Sequence, residues 1–493
     1  MTHTSANDTI AERLQQLECI ALQLETPATD RKTVTDAVIH YAENFLDSLE
    51  DKKAYVISEE KGAGITSLPV SESGHDIRTL LHLLETQVDE PGLNPASGGH
   101  LGYVPGGGVY YSALGDFLAD VTNRYAGIFF ASPGAVRMEN MMIEWLAGFL
   151  GYPETCGGNL ASGGSIASLI AIVTARDAME VKARDIERSV IYLSPQVHHC
   201  LYKAIRIAGL HECIVRHLPL DERFRIRPNK LAEQIAKDKA DGLKPWLVIA
   251  SAGTTDTGAI DPLTEIAGIA KKENLWFHID AAYGGFFALC DQGRELLKGM
   301  DLSDSIVVDP HKGMFLPYGL GAVLVKDRKK LMASHYYIAN YMQDAHRGAD
   351  IDSPADLSPE LTKHFRGLRM WLPLQLLGVQ PFRAAVEEKM LLARYFHNEI
   401  SQWENMEVGP TPDLSVVVFR YVPTSGDADA FNQAVMDRVL QIGRFFFSTT
   451  RIDGKFMLRV CILSFRTHRK MMDEALAILK EQIAQLEREQ AVV

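Results

Sequence analysis

The segment "VVDPHKG" at 307–313 sets a lysine directly after an apolar run that stops at Asp309 and Pro310. Lysine is seldom fully buried, so Lys312 is either an exposed loop charge or an amine held at the edge of a core. In the second case desolvation lowers its proton affinity and makes it usable for Schiff-base chemistry. Three other stretches carry complementary residue types. "GGNLASGGSIASLIAIVTAR" at 157–176 runs glycines and serines into a helical pattern. Gly164 and Ser165 thus offer free N–H groups at the positive end of a helix, either a phosphate cradle or a capped turn. The spacing is not GxGxxG, and no obvious strand precedes it. "FHIDAAYGG" at 277–285 ends an apolar run in Asp280. That aspartate is either a turn cap or a carboxylate placed for a buried cation, with Ala282 small enough to let a flat ring lie close. "PQVHHC" at 195–200 suggests zinc, but neighbouring histidines point apart and no second ligand cluster follows, so no metal is expected. A strand-end histidine stacked over a ring suits the stretch better.

The elements that must position these groups follow from periodicity. Short apolar segments at 190–194, 246–253, 276–282, 305–310 and 321–327 alternate with amphipathic ones such as "DPLTEIAGIAKKEN". Buried strands alternating with helices imply an α/β domain with a mostly parallel sheet, whose ligands sit beyond the carboxyl ends of the strands. Asp280 and Lys312 both fall there. Before this body, Thr9 to about Glu90 is helical, followed by the Gly/Pro-rich loop "NPASGGHLGYVPGGG" at 94–108. After about 373 a helical stretch leads into "LSVVVFRYV" and "FMLRVCILSF". The expected organisation is a helical arm over 1–109, a large α/β domain over 110–372 and a small α+β domain over 373–493.

Phosphate cradle, stacking histidine, strand-end aspartate and strand-end lysine would together hold a flat, phosphorylated, pyridine-like ring carrying an aldehyde. With "HLGYVPGGG", "ASPGAVRMEN", "HIDAAYGG", "DPHKG" and "HFRGLRMWLPLQLLG" in this order, the chain resembles the group II pyridoxal-phosphate-dependent amino-acid decarboxylases across almost its whole length. The resemblance implies fold type I (aspartate-aminotransferase-like) and pyridoxal 5'-phosphate as cofactor. It implies Lys312 as the Schiff-base residue, His311 beside the phosphate with Gly164 and Ser165, and Asp280 paired with the pyridine nitrogen. It further implies Ala282 against one ring face, His198 on the other, Thr255 in the pocket wall, and Asp261 as a nearby acidic residue. The family's proton-donating tyrosine sits on a loop over the site, and counting from the lysine assigns it to Tyr341, with Tyr336 and Tyr337 as competitors. The aperiodic segment 335–360 is the expected lid. Just ahead of "FR", where relatives place an arginine, this chain has Lys363. The pocket for the substrate side chain is expected at Tyr103, Val104 and Gly106, with help from a partner subunit.

The implied activity is decarboxylation of an L-amino acid, aromatic by the bulky residues at 103–104. Acidic or diamino substrates (glutamate, aspartate, 2,4-diaminobutyrate), oxidative aldehyde synthesis, and a silent cofactor-binding protein remain alternatives. Phenylalanine at the loop position typifies the aldehyde synthases, so Tyr341 favours plain decarboxylation. The net charge of −13 and pI of about 5.7 argue against nucleic-acid or anionic-membrane partners. The polar N-terminus lacks a secretory h-region, apolar runs are short, and six cysteines show no paired spacing. A cytoplasmic protein is expected, and the amphipathic arm suggests an intertwined homodimer.

Overall fold

The computed structural model describes residues 6–337 and 351–492. They fall into two compact units, one of residues 1–52 and 56–94, the other of residues 53–55 and 95–493. The first unit carries helices α1 (Ala6–Ala21), α2 (Ala28–Asp47) and α3 (Ile77–Leu84). On α1, Ile10, Leu14 and Leu17 recur at helical spacing and stay exposed.

In the second unit, α4 (Tyr110–Thr122) and α5 (Pro133–Leu150) precede a seven-stranded sheet. Its strands are β1 (Gly157–Ala161), β2 (Ser189–Leu193), β3 (Ile214–His217), β4 (Lys244–Ser251), β5 (Trp276–Asp280), β6 (Ser305–Val308) and β7 (Gly321–Val325). The spatial order is β1-β7-β6-β5-β4-β2-β3, and only β7 runs antiparallel to its neighbours. The mostly parallel sheet is therefore correct, and its central strands are fully buried, as continuous apolar runs require. Ser251 pairs with Asp280 and Asp280 with Val307, so β4, β5 and β6 end side by side. A four-stranded antiparallel sheet closes the chain, with β8 (Met406–Val408), β9 (Val416–Tyr421), β10 (Ser448–Ile452) and β11 (Lys455–Cys461) ordered β8-β9-β11-β10.

One sequence expectation is overturned here. A strand, β1, does precede the Gly/Ser-rich helix start, although "GGNLA" lacks the β-branched residues that mark strands. Its small residues are needed because a Cβ at Gly158 would lie 2.5 Å from the Val323 carbonyl oxygen. The far part of the expected lid is likewise packed. Ser353 Oγ accepts the Phe129 N–H at 3.0 Å, and the Pro354 carbonyl accepts Asn159 Nδ2 at 3.0 Å.

Lys363 explains why arginine is unnecessary ahead of "FR". Its buried ammonium donates to Glu139 Oε1 (2.7 Å), the Leu160 carbonyl (2.8 Å) and Asn159 Oδ1 (3.1 Å), three donors for three acceptors. Lys363→Met strands the Glu139 carboxylate in the interior and is expected to cost about 3 kcal/mol. Chemical denaturation should show a lower midpoint at unchanged slope, and adding Glu139→Leu should restore most of the loss.

Candidate active site

Helix α6 (Gly164–Ala178) begins three residues after β1 ends, and its N-cap Gly163 sits at φ +151, a conformation open only to glycine. The turn 162–165 therefore delivers unpaired backbone N–H groups at the same sheet edge as the ends of β4, β5 and β6. It lines a cavity of about 320 Å³ together with His198, Thr255, Asp280, Ala282, His311 and Lys312. Sequence reasoning named all of these from separate stretches, and the fold brings them into one chamber.

Each group is held by its element. Asp280 ends β5, is buried, and accepts the Ala282 N–H at 3.1 Å through Oδ1. Burial pushes its carboxyl above the usual carboxylate value, against the pull of the Lys312 cation and the Ala282 N–H. His198 caps α7 (His199–Ile207), its Nδ1 accepting the Cys200 N–H at 3.3 Å, so Nε2 carries the hydrogen. Burial, then the neighbouring His199, pushes His198 down to about 4, leaving a neutral imidazole at physiological pH. His311 and Lys312 lie on the single helical turn Pro310–Gly313 after β6. The Leu320 carbonyl can only accept, so it fixes His311 through Nδ1–H at 2.6 Å. Lys312 Nζ lies 2.8 Å from Asp309 Oδ2. Burial disfavours its ammonium form, but Asp309 and then Asp280 outweigh burial and hold it above the usual lysine value.

A second cavity, of about 630 Å³, shares His198, Thr255 and Lys312 with the first. Tyr103, Val104, Met436, Leu440 and Phe446 give it apolar walls, whereas Gly106 lines neither cavity. A Cβ at Gly106 would stand 2.3 Å from the His311 carbonyl oxygen, so glycine lets the loop pack behind the lysine turn. Asp261 also stays outside, accepting the Ser251 and Ile226 N–H groups at 2.7 and 2.8 Å and bracing the end of β4. Tyr341 lies outside the described residues. Among the described residues no three His, Cys, Asp or Glu side chains gather as a metal site, and no helix is long and apolar enough to cross a membrane.

Sequence reasoning missed Arg459. It is buried on β11 and donates to the Thr255, Asp256 and Tyr103 carbonyls and to Ser448 Oγ, while its Nη2 finds no partner. A lone arginine inside the apolar run "FMLRVCIL" was the available signal, since a buried guanidinium bonded only to neutral groups asks for an anion. The donors fit a phosphorylated pyridine aldehyde. Amides at a helix start suit the phosphate, a buried carboxylate suits a ring N–H, and one lysine lies among the lining residues.

Residues 92–422 match the model of the pyridoxal-dependent decarboxylase conserved domain. The chain belongs to that family and is a pyridoxal-phosphate-dependent carboxy-lyase. It is 31% identical over 451 residues to an aromatic-L-amino-acid decarboxylase of Bacillus atrophaeus, covering 88% of this chain and 92% of that one. It is 30% identical to a phenylacetaldehyde synthase of Arabidopsis thaliana over 77% of this chain and 81% of that one. In fold it is similar to the Oryza sativa TDC solved with PLP and tryptamine, with a TM-score of 0.88 at 24% identity over 94% of this chain and 99% of that one.

Proposed function

We propose that the chain converts an aromatic L-amino acid to its amine and CO2, as a cytoplasmic homodimer. The observation that carries the substrate reading is the apolar-walled second cavity opening onto Lys312, large enough for an aromatic side chain. The curated relatives named above, which act on aromatic compounds by name, support it. All six cysteines are free, in keeping with a reducing compartment. The dimer reading draws support from exposed Phe117 and Val121 on α4 and from nearby-in-sequence Phe130, an apolar surface suited to a second copy.

Pyridoxal phosphate, when bound, supplies a sink for the electron pair left on Cα as the carboxyl carbon departs. Lys312 would bind its aldehyde carbon, while the Gly164 and Ser165 N–H groups and His311 would hold its phosphate. Asp280 would hold a proton at the ring nitrogen. His198, neutral at working pH, and Ala282 would hold the ring, with Thr255 in the wall. Arg459, whose guanidinium lines the second cavity, would draw the substrate carboxylate toward its charge. Tyr341 delivers the one proton that Cα needs.

Arg459 also favours a second reading, because the cavity it lines could equally bring the side-chain carboxylate of an acidic substrate toward its charge. A panel of the twenty amino acids scored for CO2, amine, ammonia and peroxide separates these outcomes. Aromatic substrates should give CO2 and amine in equal amounts without peroxide. Turnover confined to glutamate or aspartate would sink the aromatic assignment, and stoichiometric peroxide with ammonia would make the chain an aldehyde synthase.

A further inference from the structure

Asp309 is used by none of the roles above, yet it touches the two parts of the site that matter most. Its side chain is 2% exposed. Oδ2 lies 2.8 Å from Lys312 Nζ and 3.7 Å from His311 Nε2, and Oδ1 is buried with no hydrogen-bond partner. The carboxylate is pressed against the start of α6, since a Cβ on Gly164 would lie 2.8 Å from Oδ2 and one on Gly321 2.6 Å from Oδ1. An anion thus already stands at the positive end of the helix that the cofactor phosphate is expected to use.

We propose that Asp309 is a positioning residue that latches Lys312 as an ammonium against the phosphate turn until the cofactor arrives. This rests on reading Lys312 as the lysine that binds the cofactor. An ammonium has no lone pair. Before the Nζ–carbon bond can form, one proton must leave to solvent, after which the carbonyl oxygen departs as water. Holding the proton therefore slows capture of the cofactor, and a fixed negative charge beside the phosphate turn weakens its retention. The other groups facing this carboxylate are His311 on the same turn, Asp280 at the end of β5, and His198 and Cys200 at the start of α7. Of these, protonated His311 or His198 would share the carboxylate, but both are held neutral at working pH by burial. Lys312 is the cation left to it within this group.

The test is competitive acetylation of the full chain stripped of cofactor, followed residue by residue by mass spectrometry from pH 7 to 11. In the wild type, Lys312 should become reactive at higher pH than the exposed lysines of the same molecule. Asp309→Asn should bring its midpoint down by about one unit and speed capture of added pyridoxal phosphate near neutral pH about tenfold. Capture is followed by absorbance and retention by gel filtration, and Asp309→Ser should act in the same direction. An unshifted midpoint with unchanged or slower capture in both variants overturns the proposal. So does a wild-type Lys312 that reacts at or below the pH of the exposed lysines, a result needing no variant. Labelling does not depend on turnover, so failure of the latch is distinguishable from failure of Lys312 as the cofactor lysine.

Discussion

Lys312→Ala is expected to reduce decarboxylation by at least about 10⁴-fold while leaving the fold intact. Lys312 is the one lysine among the residues lining the 320 Å³ cavity, so no second amine is placed to replace it. Removing a covalent nucleophile typically takes the whole catalytic unit with it. Removing the side chain opens no packed core, because Lys312 retains access to the cavity. It does leave Asp309 without its cation, and Asp280 loses a nearby positive charge. Those losses should appear as a lower melting temperature of the cofactor-free chain, by up to the roughly 3 kcal/mol expected when a buried carboxylate loses its cation. The decisive readout is borohydride reduction of the loaded protein. The wild type should retain a phosphopyridoxyl mass on the peptide containing Lys312, and the variant should retain none on any lysine. Label on another lysine, with activity preserved, would move the catalytic amine elsewhere.

Where sequence reasoning succeeded, the local signal and the tertiary role coincided. Asp280 ends a largely apolar run and Lys312 follows four residues after another, and strands buried on both faces read as such runs, so both were legible as groups near strand ends. The stretch "GGNLA" failed this test because its strand is stabilised by what surrounds it. Gly158 admits the Val323 backbone, and Asn159 is satisfied by Lys363 from more than two hundred residues downstream. Strand β3, "IVRH", is an edge strand only partly buried, so its apolar pattern is diluted. Arg459 was passed over for a related reason. It lies in a strand pattern of another sheet, and its link to the site runs through the carbonyls of Thr255 and Tyr103, which leave no mark in sequence. Asp309 stood in plain view within "DPHKG", but its contacts with Gly164 and Gly321 exist only once β1 and β7 are paired.

Asp280→Asn should separate charge from shape at the ring nitrogen. The amide is nearly the same size, and its oxygen can keep the 3.1 Å hydrogen bond from the Ala282 N–H, so the end of β5 should not move. What is lost is the negative charge that would hold a proton on the pyridine nitrogen. A fixed charge in a buried site is worth far more than in water, and its removal is expected to lower kcat about 10³-fold at saturating cofactor. Covalent loading at Lys312, read by borohydride reduction, should persist, which distinguishes this variant from Lys312→Ala. Stability should move the other way. Burial raises the Asp280 carboxyl above its unfolded value, so the folded chain without cofactor is penalised at every pH above that raised value. The neutral amide removes the penalty. The cofactor-free Asp280→Asn protein should therefore melt no lower than wild type near neutral pH, and the difference should vanish as acid neutralises the wild-type carboxylate. A kcat loss below tenfold would remove Asp280 from the ring-nitrogen role. A clear loss of neutral-pH stability would mean that the carboxylate is there to brace the strand end.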